Sequence, residues 1–194
     1  MKVKKLAPAM GAEITGIDLG SSDFSDNLIG EIRAVWLEHN MLVLRGQNLT
    51  PQQQLRLAEA FGDPDIYPFL DGVDGIPEIT AVLKREHETV NFGGVWHTDT
   101  SYQKLPPMAT MLQAIELPPI GGDTLFANQE MAYERLSDGL KETLGGLRVI
   151  CAAGKAKVAA TRTARIEESG KSVDIDELVA CLLYTSPSPR DTRR

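Results

Sequence analysis

Apolar positions recur at helical spacing in three stretches of the chain and at strand spacing in several others. Leu28, Ile32, Val35 and Trp36 line one helical face, and Ser25 ahead of them supplies an N-cap, so a helix is expected through His39. Thr50-Pro51-Gln52-Gln53 opens a second helix. Thr50 suits the cap, Pro51 the first helical position, and Gln53 closes a capping box. Leu55, Ala58 and Phe61 form its apolar face, and Gly62 ends it. A third helix is expected to start at Asn128 or Gln129 and run through Met131, Leu136 and Leu140. Strands are expected at 2–6, 13–19, 41–45, 78–84, 108–116 and 123–127, with Ile79, Ala81 and Leu83 sharing a face. Residues 63–77 read as a loop rich in Pro, Gly and Asp, and 118–122 as a turn. Strands scattered among a few helices predict an α+β fold on an antiparallel β-core.

Composition narrows the classes of function. The 194 residues show no internal repeat, which fits one domain or one domain and a fragment. A net charge of -7 argues against a nucleic-acid partner, which needs a basic face. No apolar run approaches the roughly 18 residues that span a bilayer. The basic start is not followed by a long apolar segment, so it does not read as a signal peptide. Two cysteines, Cys151 and Cys181, make no disulfide framework. These features predict a cytoplasmic protein with no membrane partner.

Candidate chemistry sits in Asn91-Phe92-Gly93-Gly94-Val95-Trp96-His97-Thr98-Asp99-Thr100-Ser101-Tyr102, a glycine-opened loop running into an expected short strand. Residues i and i+2 of a strand share a face, so His97 and Asp99 are expected to present an imidazole and a carboxylate side by side. That pair suits Fe(II) in a 2-His-1-carboxylate triad, which leaves positions on the metal open. A His hydrogen-bonded to a nearby Asp is the plainer alternative. Trp96 is expected to pack against the core. His39, in the last turn of its helix, is favoured by the helix dipole and reads as structural.

A second stretch follows: Leu117-Pro118-Pro119-Ile120-Gly121-Gly122-Asp123-Thr124-Leu125-Phe126-Ala127-Asn128. Trp-His-Thr-Asp followed by Pro-x-x-Gly-Gly-Asp-Thr-Leu resembles the TauD/TfdA (taurine dioxygenase-like) family of Fe(II)- and 2-oxoglutarate-dependent dioxygenases, from about Leu6 to about Leu147. The resemblance implies a double-stranded β-helix (jelly-roll) core with flanking helices. It implies Fe(II) on His97 and Asp99, and 2-oxoglutarate as cosubstrate with a carboxylate hydrogen-bonded by Thr124. It also implies O2 and a small organic acid as partners, and leaves a homo-oligomer open. Asn91 and Phe92 lie where family members place substrate contacts, although such loop residues are often only structural. The plainer roles are a strand Thr at position 124 and a turn cap at Asp123.

The substrate reading rests on the loop Phe61 to Leu70. Tyr67 stands where the family's taurine enzyme has a His, and Leu70 where it has a Tyr. A phenol donates a hydrogen bond but carries no positive charge. Another organic acid, such as a sulfonate, sulfate ester or aryloxy acid, is therefore expected in place of taurine.

The family's pattern needs a second His and then an Arg far downstream, and the three histidines here are His39, His87 and His97. His87, in Lys84-Arg85-Glu86-His87-Glu88, reads as part of a solvated charged stretch. The stretch from Cys181 to Asp191 resembles a translated sequencing adaptor, with a natural Pro/Ser-rich tail as the alternative. Residues 1–180 are thus expected to be the N-terminal part of one oxygenase domain, incomplete in this chain and inactive by itself, with 181–194 a non-native tail. Residues 152–179 are expected to form a lid or insertion. Two rival functions remain: a zinc-dependent hydrolase using His97 and Asp99, for which zinc's usual Cys or additional His ligands are scarce, and a non-catalytic binding or structural protein.

Overall fold

The structure is a computed structural model describing residues 1–21, 24–87 and 93–153, and the backbone of 179–183. The chain divides into two compact units. One comprises Met1–Gly62 and Met111–Gly146, and the other Asp63–Thr110 and Leu147–Tyr184.

The first unit is built on a three-stranded sheet in the order β1-β2-β3. β1 (Lys2–Lys5) pairs antiparallel with β2 (Ala12–Thr15), and β2 pairs parallel with β3 (Leu42–Leu44). Three lysines on β1 keep its open edge hydrated, a common protection against edge-to-edge pairing. β2 alternates buried Ala12 and Ile14 with half-buried Glu13 and Thr15. It ends sooner than the sequence suggests, at Gly16 (φ +76°).

Helix α1 (Asp26–His39) carries Leu28 to His39 as expected, with the Ser25 side chain accepting from Leu28 N–H. Helix α2 (Pro51–Phe61) opens on the Thr50–Gln53 capping box. Ile29 and Ile32 of α1, Leu57 of α2, and Ile14 and Leu19 form one core. Polar side chains pin its connections. The Gln47 amide oxygen accepts from Leu19 N–H (2.8 Å) while its NH2 donates to the carbonyls of Ile17 (3.1 Å) and Arg45 (2.9 Å). Gln113 donates to the Leu49 carbonyl at 2.9 Å, and Asn128 to that of Ala9 at 2.7 Å.

The third expected helix is two. α3 (Gln129–Glu134) is capped by Asn128 and α4 (Asp138–Gly145) by Ser137. The second cap interrupts the apolar periodicity, because Ser137 takes extended backbone and accepts from Leu140 N–H.

The second unit holds two hairpins. β4 (Gly72–Val73) pairs with β5 (Ile76–Thr80), and β6 (Arg148–Ala152) with β7 (Val179–Leu183). β5 lies earlier than the strand expected at 78–84. The short reversal at Asp74-Gly75 sets its register against β4, and residues 81–84 pass beyond the end of that partner. Phe69, Tyr102 and Ala153 form this unit's core, with Tyr67 and Cys151 packed against it.

The strands expected at 108–116 and 123–127 join no sheet among the described residues. Their apolar side chains face solvent, Ile115 at 82% and Leu125 at 72% exposure. Apolar composition makes a segment competent for a sheet, but only a partner edge makes it a strand. The α+β content agrees with the sequence reading. Residues 154–178, which include most of the expected lid, and 184–194 of the expected tail lie outside the described residues. No helix among the described residues is long and apolar enough to cross a membrane.

Candidate metal centre

The segment around His97 is not the short strand the sequence suggests. Residues 94–98 are irregular, and Asp99 and Thr100 form a turn with Thr100 at φ +46°. The two side chains nevertheless meet, with His97 Nε2 3.0 Å from Asp99 Oδ1. The turn achieves what strand alternation was expected to do.

Three further contacts define the pair. His97 Nδ1 donates to the Val95 carbonyl at 2.6 Å. Since a carbonyl only accepts, the proton of a neutral ring sits on Nδ1 and Nε2 presents its lone pair. The Thr110 hydroxyl donates to Asp99 Oδ2 at 2.7 Å, which leaves Oδ1 toward the imidazole. The backbone of Gly93 (φ +72°) passes beside the ring, where an added β-carbon would lie 3.2 Å from His97 Cε1. Both side chains are about half exposed, so a cation can reach them.

In the neutral-ring state, Nε2 and Oδ1 are two acceptors facing each other. A proton or a cation between them removes the conflict. Two ligands bound to one divalent ion at about 2.1 Å and at a right angle stand about 3 Å apart. The observed 3.0 Å separation matches that bite, and a hydrogen bond from the far nitrogen to a backbone carbonyl is a usual support for a ligating His. The pair therefore fits a metal as two of its ligands. No group of three or more His, Cys, Asp or Glu side chains suited to a metal occurs among the described residues. His87 is exposed in a turn.

The other candidates fall elsewhere. Tyr67 lies in the same unit as the pair, with its ring edge-on to Phe69 at 5.2 Å between centroids, so its body serves the core. Leu70 is half-buried. Trp96, expected in the core, is 70% exposed in the irregular segment and is not among the residues packed on the Phe69–Tyr102 cluster. Thr124 belongs to the first unit and is exposed in irregular chain. It follows a turn where Gly121 and Gly122 both take positive φ and a β-carbon on Gly122 would press on Pro118. Asn91 and Phe92 lie outside the described residues. Thr110, Val95 and Gly93 were not singled out as supports of the pair. Only Gly93 left a signal, as one of the glycines that open the loop.

Residues 2–177 match the family described as "Taurine catabolism dioxygenase TauD, TfdA family". An alkylsulfatase of Acinetobacter baylyi is 36% identical over 143 residues, covering 73% of this chain and 44% of the relative. An alpha-ketoglutarate-dependent sulfonate dioxygenase of Saccharomyces cerevisiae is 34% identical over 162 residues, covering 77% and 39%. The crystal structure of a taurine dioxygenase from Burkholderia xenovorans superposes with a TM-score of 0.67 at 25% identity, covering 95% of this chain and 76% of that one. The chain belongs to the TauD/TfdA family. It spans less than half the length of these two curated relatives.

Proposed function

We propose that this chain is the N-terminal part of an Fe(II)- and 2-oxoglutarate-dependent dioxygenase acting on a small organic acid. The observation that carries the reading is the convergence of His97 Nε2 and Asp99 Oδ1 at 3.0 Å within a member of this family. In the whole protein, the missing third ligand is a His, and an Arg beyond it clamps 2-oxoglutarate. An Arg fork suits a carboxylate because it pairs with both oxygens. The rest of the jelly-roll core closes over the unpaired segments at 108–116 and 123–127. Residues 1–180 then form part of one oxygenase domain, and 181–194 are a non-native tail.

His97 and Asp99 would hold Fe(II). With 2-oxoglutarate bound, Fe(II) would supply the coupling of oxidative decarboxylation of the cosubstrate by O2, giving succinate and CO2, to hydroxylation of a substrate C–H bond. The protein contributes position and shelter. The Val95 carbonyl keeps the His97 proton on Nδ1, so Nε2 stays available to a metal. The Thr124 hydroxyl would donate to a carboxylate oxygen of 2-oxoglutarate, as the family resemblance implies. The family resemblance gives Asn91 and Phe92 to the substrate as well, and the Tyr67 phenol would donate to its acid group.

The substrate is a sulfonate, sulfate ester or aryloxy acid other than taurine. The names of the relatives, an alkylsulfatase and a sulfonate dioxygenase, support the first two. The working protein is cytoplasmic and needs no nucleic-acid or membrane partner.

The test is to read the gene beyond codon 180 and assay the encoded protein. A His and then an Arg in the added chain, with succinate formed from 2-oxoglutarate only when Fe(II) is present, support the proposal. A full-length protein that consumes no 2-oxoglutarate with any organic acid offered contradicts it.

A further inference from the structure

We infer that Thr110 is a positioning residue of the metal centre. Its hydroxyl makes Asp99 a one-oxygen ligand aimed at the ion that His97 faces. The inference rests on the metal reading above.

A carboxylate has two equivalent oxygens and a torsion that turns easily. Left alone, Asp99 could offer either oxygen, or both, to a cation. The Thr110 hydroxyl donates to Oδ2 at 2.7 Å, while Oδ1 stays 3.0 Å from His97 Nε2. One oxygen is thus engaged by a neutral donor and the other is presented. Thr110 itself is remote in sequence, eleven residues beyond Asp99, yet lies in the same compact unit. Its contact therefore comes from the path of the chain and not from local geometry in the turn.

The arrangement is symmetrical in purpose. The Val95 carbonyl engages His97 Nδ1 and the Thr110 hydroxyl engages Asp99 Oδ2, so Nε2 and Oδ1 are the atoms left to face a metal. Ligating carboxylates are commonly hydrogen-bonded in this way, and removal of such partners typically lowers metal affinity 10–100-fold. Thr110 is exposed, so its replacement leaves no cavity and should spare the fold. Valine keeps the β-branched shape and removes only the donor. Serine keeps the donor.

Mn(II) binding to the full-length protein, read from the electron paramagnetic resonance signal of the free ion, tests the inference without any turnover. The expected result is binding by the wild type, its loss in His97→Ala, weakening of roughly 10-fold or more in Thr110→Val, and near-wild-type binding in Thr110→Ser. Circular dichroism and urea unfolding confirm that each variant is folded. Equal Mn(II) affinity in the wild type and Thr110→Val, with His97→Ala still defective, overturns the role of Thr110 and leaves the metal reading standing. Equal affinity in the wild type and His97→Ala overturns the metal reading and the inference with it.

Discussion

A β-carbon placed on Gly93 would stand 3.2 Å from Cε1 of His97, on backbone whose φ is +72°. Glycine meets both demands: it enters the left-handed region without strain and it leaves the imidazole its place. Gly93→Ala should therefore cost about 1–2 kcal/mol of stability from the strained backbone. It should also lower divalent-metal affinity by displacing the ring. Urea unfolding and a metal titration check the two effects separately. An alanine variant as stable and as metal-competent as the wild type would show that Gly93 does not shape the site.

The Thr50–Gln53 box holds the start of α2, whose Leu57 is buried beside Ile14 and Ile32. Thr50 Oγ1 accepts from Gln53 N–H, and the Gln53 side chain accepts from Thr50 N–H at 2.7 Å. Gln53 also donates to the Gly20 carbonyl at 2.6 Å, so the box ties the helix start to the chain leaving β2. Thr50→Ala should destabilise the protein by about 1 kcal/mol. Gln53→Ala should cost more, because it leaves two partners unserved. The midpoints of urea denaturation decide the order, and the reverse ranking would contradict this account of the connection.

In the full-length protein, Thr124→Ala should raise the KM for 2-oxoglutarate about fivefold, the equivalent of one hydrogen bond of about 1 kcal/mol. Thr124→Ser should restore most of it. An unchanged KM would remove Thr124 from the cosubstrate site.

Tyr67 carries no charge for an anionic substrate, and its ring is committed to Phe69. A hydrogen bond to a charged group contributes about 1.5–3 kcal/mol, and loss of charge assistance weakens it. With apolar Leu70 nearby in sequence, the full-length enzyme should prefer a larger or more apolar acid to taurine. A panel of sulfonates, alkyl sulfates and aryloxyacetates scored by succinate release checks this. A kcat/KM for taurine above the rest of the panel would show that these positions do not set specificity.

The helix starts were legible because capping chemistry is local. Ser25, Thr50 and Asn128 each satisfy a backbone N–H three residues away. Ser137 offered the same signal, but the apolar spacing of Met131, Leu136 and Leu140 hid it. Strands were harder, since a strand exists by virtue of a partner elsewhere in the chain. Residues 108–116 follow Pro106-Pro107 as an apolar-rich stretch of strand length, yet no described segment pairs with them, and β5 took its limits from the hairpin with β4. At the candidate site, the His97–Asp99 juxtaposition was legible through their two-residue spacing, although a turn and not a strand delivers it. Thr110 was not legible, because nothing in eleven intervening residues says that its hydroxyl returns to Asp99. Trp96 misled for a similar reason: a large aromatic side chain is usually buried, and the irregular backbone exposes this one.

The central claim is that His97 and Asp99 hold the iron of a 2-oxoglutarate-dependent oxygenase. The most direct measurement is succinate release by the full-length protein, with Fe(II), 2-oxoglutarate and O2, in the wild type, His97→Ala and Asp99→Ala. The account predicts iron-dependent succinate from the wild type, none above background from either variant, and none from the 194-residue chain alone. Undiminished succinate release by either variant, or robust release by the 194-residue chain, would contradict it.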